Sequence, residues 1–183
     1  ARVVALNKAD GSLVWQQEFD SEILGQPALW AGNLCFLKGE QYVTCLSQSD
    51  GRKIWGKTIQ TYVKDITMRG QSSLVSDGAA FYLGLADGHL YRLNPADGKI
   101  LWEKNLSIPL RSFKDIDANV VFENDSLYVA GYFGALYRLS DEYGIVLRTK
   151  KKNSYLFLVE DVSALVSYCG RREKEFAQRK ESI

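Results

Sequence analysis

The chain has 183 residues, enough to bury one substantial core, with 23 Lys plus Arg against 22 Asp plus Glu and a formal net charge of +1. That balance gives no electrostatic reason for nucleic acid or an anionic membrane surface to be the main partner. Ten Tyr, 8 Phe and 4 Trp against 3 Pro favour strands, and no apolar run reaches the roughly 18 residues of a membrane-spanning helix.

Ala1 opens directly into the strand-like VVAL, so no signal peptide is visible, and any export signal is expected to lie outside this sequence. The first predicted element is the hairpin VALNKADGSLVW (4–15), the second half of a four-stranded unit. The same pattern returns as TCLSQSDGRKIW (44–55), YRLNPADGKILW (91–102) and YRLSDEYGIVLR (137–148). The turn glycines Gly11, Gly51, Gly98 and Gly144 are 40, 47 and 46 residues apart. Five positions before them stand Leu6, Leu46, Leu93 and Leu139. Four positions after the first three stand Trp15, Trp55 and Trp102, whereas the fourth copy carries Arg148.

In the third copy, Leu90 to Leu93 alternate as a strand with one buried face. Asn94 to Gly98 turn the chain, with Pro95 early and Gly98 supplying a positive φ, and Lys99 to Glu103 return as the second strand. Two further strand-like runs separate successive hairpins, SSLVSD with AAFYLGL (72–85) and NVVFE with SLYVAGY (119–132). Asp77-Gly78 and Asn124-Asp125 mark their turns. Each period thus holds about four short strands, which predicts propeller blades with the recurrent Trp between neighbours. A β-sandwich is the alternative, opposed by Leu–Gly–Trp offsets kept in three copies.

Residues 154–169 read as the first hairpin of another unit, and Lys150 to Lys152 as an exposed edge or loop, with a lipid-headgroup role as the alternative. The expected domain division is 1–170 for the blades and 171–183 for a charged tail, helical or frayed. The ends pair into a small ring, or the chain forms part of an eight-bladed ring of roughly 360 residues, or two copies complete one. Cys35, Cys45 and Cys169 form no CxxC pair. Cys35 and Cys45 either face each other across a hairpin or lie on opposite faces.

No GxSxG, phosphate-binding loop or HExxH occurs, and His89 is the single histidine, so no zinc site is expected and general-base schemes are restricted to His89 or the carboxylates. His89 is expected to have a structural role, exposed or at a strand edge. Asp10, Asp50, Asp87 and Asp97 are expected to satisfy turn N–H groups.

VALNKADGSLVW and YRLNPADGKILW resemble the pyrroloquinoline-quinone-type repeat xxALDxxTGxxxW, a likeness covering about residues 1–150. The resemblance implies an all-β propeller of four-stranded antiparallel blades, about four of them present, as a partial ring or half of an eight-bladed one. Quinone-dependent dehydrogenases of this class carry an adjacent cysteine pair and a calcium site. No Cys-Cys dipeptide occurs here, so no cofactor and no metal are expected.

Two inter-blade stretches, ITMRGQS (66–72) and RSFKDID (111–117), are similar to two connecting loops of the BamB family of outer-membrane assembly lipoproteins, one with an apolar-x-apolar-Arg-Gly pattern and the next with Asp-x-Asp. That resemblance implies a non-catalytic, periplasmic scaffold at the outer membrane that docks on the periplasmic domains of BamA, with membrane attachment through a lipid anchor absent from this sequence. It implies contact roles for Ile66, Met68, Arg69, Asp115 and Asp117. Arg offers a planar fork of donors suited to an interface anchor, and two carboxylates on the next loop can orient it. Self-association to complete the ring is a further expectation. Alternatives are a fragment of a quinone-dependent dehydrogenase, which pyrroloquinoline quinone and calcium would activate, and a generic ligand-binding or sensor propeller.

Overall fold

A computed structural model describes residues 1–59, 72–107, 116, 119–123, 126–130, 135–140 and 146–151. Among these described residues there are fourteen strands and no helix. β1 (Arg2–Leu6) and β2 (Leu13–Glu18) form a two-stranded sheet. β3 (Ile23–Trp30), β4 (Asn33–Lys38), β5 (Tyr42–Ser47) and β6 (Lys53–Thr58) form the first four-stranded blade. β7 (Val75–Ser76), β8 (Phe81–Gly84), β9 (His89–Leu93) and β10 (Ile100–Asn105) form the second, and β11 (Val121–Glu123), β12 (Ser126–Ala130), β13 (Ala135–Ser140) and β14 (Val146–Lys151) the third. Each blade is an antiparallel meander in chain order, so the chain is a partial β-propeller.

The repeat motif folds locally as its residues require. Gly11, Gly51 and Gly98 take φ of 72°, 71° and 69°, the left-handed region a side chain resists. Each glycine N–H donates to the carbonyl four residues earlier, on Asn7, Ser47 and Asn94. Asp10, Asp50 and Asp97 accept the N–H two residues on, from Ser12, Arg52 and Lys99. Beside each turn the strand register slips at a bulge, as at Ala5/Leu6 and Cys45/Leu46.

The indoles then join one hairpin to the next. Trp15 Nε1 donates to Gln48 O at 2.8 Å, and Trp55 Nε1 to Pro95 O at 3.0 Å. Each ring lies on the turn glycine of the following blade. A Cβ on Gly51 would stand 2.6 Å from the Trp15 ring, and one on Gly98 would stand 2.6 Å from the Trp55 ring. Trp102 packs against the cluster between the second and third blades, and its expected counterpart Gly144 lies outside the described residues.

Three apolar clusters fill the gaps between sheets. Trp15, Phe36 and Leu46 lie between the two-stranded sheet and the first blade. Cys35, Leu37, Val43 and Cys45 meet Phe81, Leu83, Tyr91 and Leu93 between the first and second blades. Tyr82 and Leu90 meet Leu127, Val129, Tyr137 and Leu139 between the second and third. β9 therefore departs from the expected single buried face. Leu90, Tyr91 and Leu93 are all buried, because the second blade is covered on both sides.

Cys35 and Cys45 stand opposite each other in the β4–β5 register and are joined as a disulfide. Toward the inner strands, a polar chain crosses three blades. Gln26 N–H donates to Ser73 Oγ at 2.9 Å, and Ser73 N–H donates to Asn119 Oδ1 at 2.7 Å.

Candidate docking rim

An up-and-down meander puts the second turn of each blade and the inter-blade connections at one end of the sheets, and the first and third turns at the other. The main chain marks this common end. In the two-stranded sheet and the first two blades, the residue after the last strand donates its N–H to the residue just before that strand's hairpin partner, as Phe19 to Ala1 O (2.7 Å), Ile59 to Gln41 O (2.7 Å) and Leu106 to Gly88 O (2.8 Å). Each inter-blade connection therefore leaves its blade beside that blade's second turn.

The five expected contact residues, Ile66, Met68, Arg69, Asp115 and Asp117, all lie outside the described residues, within 60–71 and 108–118. The described residues flanking these stretches converge on Gly84. The Ser72 hydroxyl donates to Gly84 O at 3.1 Å and accepts Gly84 N–H at 2.7 Å. Ile116 presses on the same glycine, and a Cβ added there would lie 2.8 Å from Ile116 Cβ. Ile116 N–H donates to Leu85 O at 3.3 Å. Ser73 and Asn119 join the next residues along.

The β8–β9 turn, Leu85 to His89, supplies the acceptors Leu85 O for Ile116 N–H and Gly88 O for Leu106 N–H. Gly88 takes φ of 80°, and the turn closes through Leu85 N–H to His89 O and Gly88 N–H to Leu85 O. Asp87 pins it from within. Its Oδ1 accepts His89 N–H at 2.9 Å and its Oδ2 accepts the Tyr91 hydroxyl at 3.2 Å. His89 Nδ1 also lies 3.2 Å from Oδ2, a close electrostatic contact that lacks hydrogen-bond alignment. The Asp87 side chain is only 3% exposed, so its lone pairs are spent on protein donors. From the third blade the Tyr137 hydroxyl donates to Leu106 O at 2.6 Å. Burial raises the ionisation of that phenol above its ordinary value, which keeps the donor proton in place at neutral pH.

His89 is the first residue of β9, with its side chain 14% exposed, and Asp87 is the turn acceptor that sequence reasoning placed there. It did not foresee that Asp87, Tyr91, Gly84 and Ser72 share one hub. The alternating Asp87-x-His89-x-Tyr91 was the available signal, since period-two spacing puts those side chains on one face. Among the described residues no group of three or more His, Cys, Asp or Glu is arranged to hold a metal ion.

The family model described as outer membrane protein assembly factor BamB matches residues 1–156. A protein of that description from Shewanella oneidensis is 25% identical, covering 99% of this chain and 49% of its own length. The Yersinia pestis counterpart is 26% identical, covering 90% of this chain and 43% of its own length. The chain thus spans about half the length of the curated relatives it matches. Among solved structures, BamB from Moraxella catarrhalis superposes with a TM-score of 0.71 at 21% identity, over 84% of this chain and 47% of that one. A quinohemoprotein alcohol dehydrogenase from Pseudomonas putida gives 0.63 at 19% identity, over 74% and 22%. At those identities the structural likenesses speak for the fold alone.

Proposed function

Since the chain belongs to the family of the outer membrane protein assembly factor BamB, we propose that it is a non-catalytic docking scaffold of the outer-membrane β-barrel assembly machinery, acting at the periplasmic face of that membrane. Its partner in this reading is the set of BamA periplasmic domains. The contacts are Ile66, Met68 and Arg69 on one inter-blade connection and Asp115 and Asp117 on the next. Attachment to the membrane through a lipid anchor is part of the same reading. The observation that carries the reading is the convergence of the flanks of both connections, Ser72 with Ser73 and Ile116 with Asn119, around Gly84 at one end of the sheets. In this reading, anchoring the described flanks of both connections at one hub favours a single, pre-ordered epitope. Rigid presentation lowers the ordering cost that a flexible loop meets on binding.

Titration calorimetry with purified BamA periplasmic domains tests this. We expect saturable binding, weakened about tenfold or more in an Arg69→Ala, Asp115→Ala double variant. Unchanged affinity in that variant removes these residues from the contact. The quinoprotein-like fold supplies a control. Stoichiometric uptake of pyrroloquinoline quinone with calcium, accompanied by alcohol-dependent dye reduction, would replace the scaffold reading with an enzymatic one.

A further inference from the structure

The Leu85–His89 turn is more than a link between β8 and β9. Its carbonyls hold both flanks of one inter-blade connection. Gly88 O receives Leu106 N–H where that connection leaves the second blade, and Leu85 O receives Ile116 N–H where it approaches the third. The flank of the other connection rests one residue earlier, where Ser72 exchanges two hydrogen bonds with Gly84. The positions of all three flanks therefore depend on the conformation of residues 84–89.

That conformation needs a lock. Gly88, with φ at 80°, is free to adopt other backbone angles, and the turn's own main-chain bonds are few. Asp87 supplies the lock. One carboxylate binds the turn's main chain through His89 N–H and the buried face of β9 through Tyr91, with the His89 ring alongside. A carboxylate bound by charge-assisted hydrogen bonds in a buried site holds its neighbours more firmly than a neutral acceptor. The corresponding turn of the first blade, Gly39 to Gln41, carries Ile59 N–H on Gln41 O, with an exposed Glu40 in its middle.

We propose that Asp87 is a positioning residue of the docking rim: by locking the Leu85–His89 turn onto Tyr91, it fixes the main-chain acceptors that hold Leu106 and Ile116, the two flanks of one inter-blade connection. This rests on the docking reading above. Asp87 acts through Leu106 and Ile116 and is not itself a contact.

Amide hydrogen exchange on the intact chain reads the lock without any partner. In Asp87→Ala, exchange at Leu106 and Ile116 is expected to quicken about tenfold or more, while Ile59, the sister anchor on Gln41 O, keeps its wild-type rate. Asp87→Asn retains an acceptor for His89 N–H and is expected to restore most of the protection. Affinity for BamA periplasmic domains is expected to fall about tenfold in Asp87→Ala and to recover in Asp87→Asn.

Wild-type exchange at Leu106 and Ile116 in the alanine variant overturns the proposal. So does faster exchange with unchanged affinity; if Arg69→Ala, Asp115→Ala still loses affinity there, the docking reading survives alone. Absence of binding by the wild type counts against the docking reading, while the exchange data still judge the lock. Should Asp87→Ala unfold, Tyr91→Phe removes only the hydroxyl on Oδ2 and is held to the same two readouts.

Discussion

At Gly51 and Gly98 one missing methyl group serves two ends, because the backbone sits at positive φ and an indole occupies the space a Cβ would fill. Gly11 has the same φ but nothing within 4 Å. The three positions therefore separate conformational cost from steric cost. Gly11→Ala is expected to lower unfolding stability by about 1 kcal/mol, the left-handed penalty alone. Gly51→Ala and Gly98→Ala are expected to cost about 3 kcal/mol, since Trp15 or Trp55 must also shift. Urea denaturation of the three variants measures the difference. The turn aspartates act on the same scale through protons. Asp10 is held below its ordinary value of 3.8 by the N–H and hydroxyl of Ser12, Asp50 by the Ser47 hydroxyl and Arg52 N–H, and Asp97 by Lys99 N–H. A carboxyl lowered in the fold favours the folded state while ionised. Its contribution is complete above 3.8 and is lost as pH falls through the lower folded-state values. The urea midpoint should therefore drop on acidification below about pH 4. An Asp50→Asn, Asp97→Asn variant should show a shallower drop, small in size because these groups are exposed to solvent.

The blades superimpose register on register. Leu34 faces Leu46, Phe81 faces Leu93 and Leu127 faces Leu139 across the second and third strands. The next pair is Cys35–Cys45 in the first blade, Tyr82–Arg92 in the second and Tyr128–Arg138 in the third. In the second blade the Arg92 guanidinium lies 5.8 Å from the Tyr82 ring centre. The disulfide thus stands where a sister blade uses an aromatic–cation pair. It closes a stretch of sequence separation 10, for which chain entropy gives about 2–3 kcal/mol. A Cys35→Ser, Cys45→Ser variant is expected to lose at least that much, since two hydroxyls replace a buried sulfur pair in an apolar interface. Dithiothreitol should lower the wild-type melting temperature and leave the double-serine variant unaffected. Equal sensitivity of both proteins would show that the bond contributes nothing to the fold.

On the scale of the molecule, the stacked sheets bury one face of β1–β2 and leave the other open. Val3 and Ala5 pack on the first blade, whereas Leu6 is 58% exposed and Val4 41%. Leu6 is the counterpart of Leu46, Leu93 and Leu139, each buried against the preceding sheet. The open face has the apolar surface and the vacant glycine seat that the internal interfaces fill with another blade. Leu6→Arg, on that exposed face, should leave the exchange rates of Leu106 and Ile116 unchanged, because these two residues pack in the cluster between the second and third blades.

The repeat period, the hairpins and the turn chemistry were all legible in the amino-acid order, because each depends on neighbours a few residues apart. Asn94 to Gly98 bend the chain by their own side chains and backbone preferences, whatever surrounds them. The burial of Leu90 beside Tyr91 was not legible, since it depends on a second sheet arriving on the opposite face. Nor was the seat of each indole, on carbonyls 33 and 40 residues away. The five contact residues inferred from family likeness lie outside the described residues, whereas the hub that holds Ser72 and Ile116, Gly84 with the Asp87 turn, emerged from the folded chain. Sequence alone determined what one blade is, through local hydrogen bonding and strand alternation. Tertiary structure decided what lies between blades, because those contacts exist only once separate repeats are stacked.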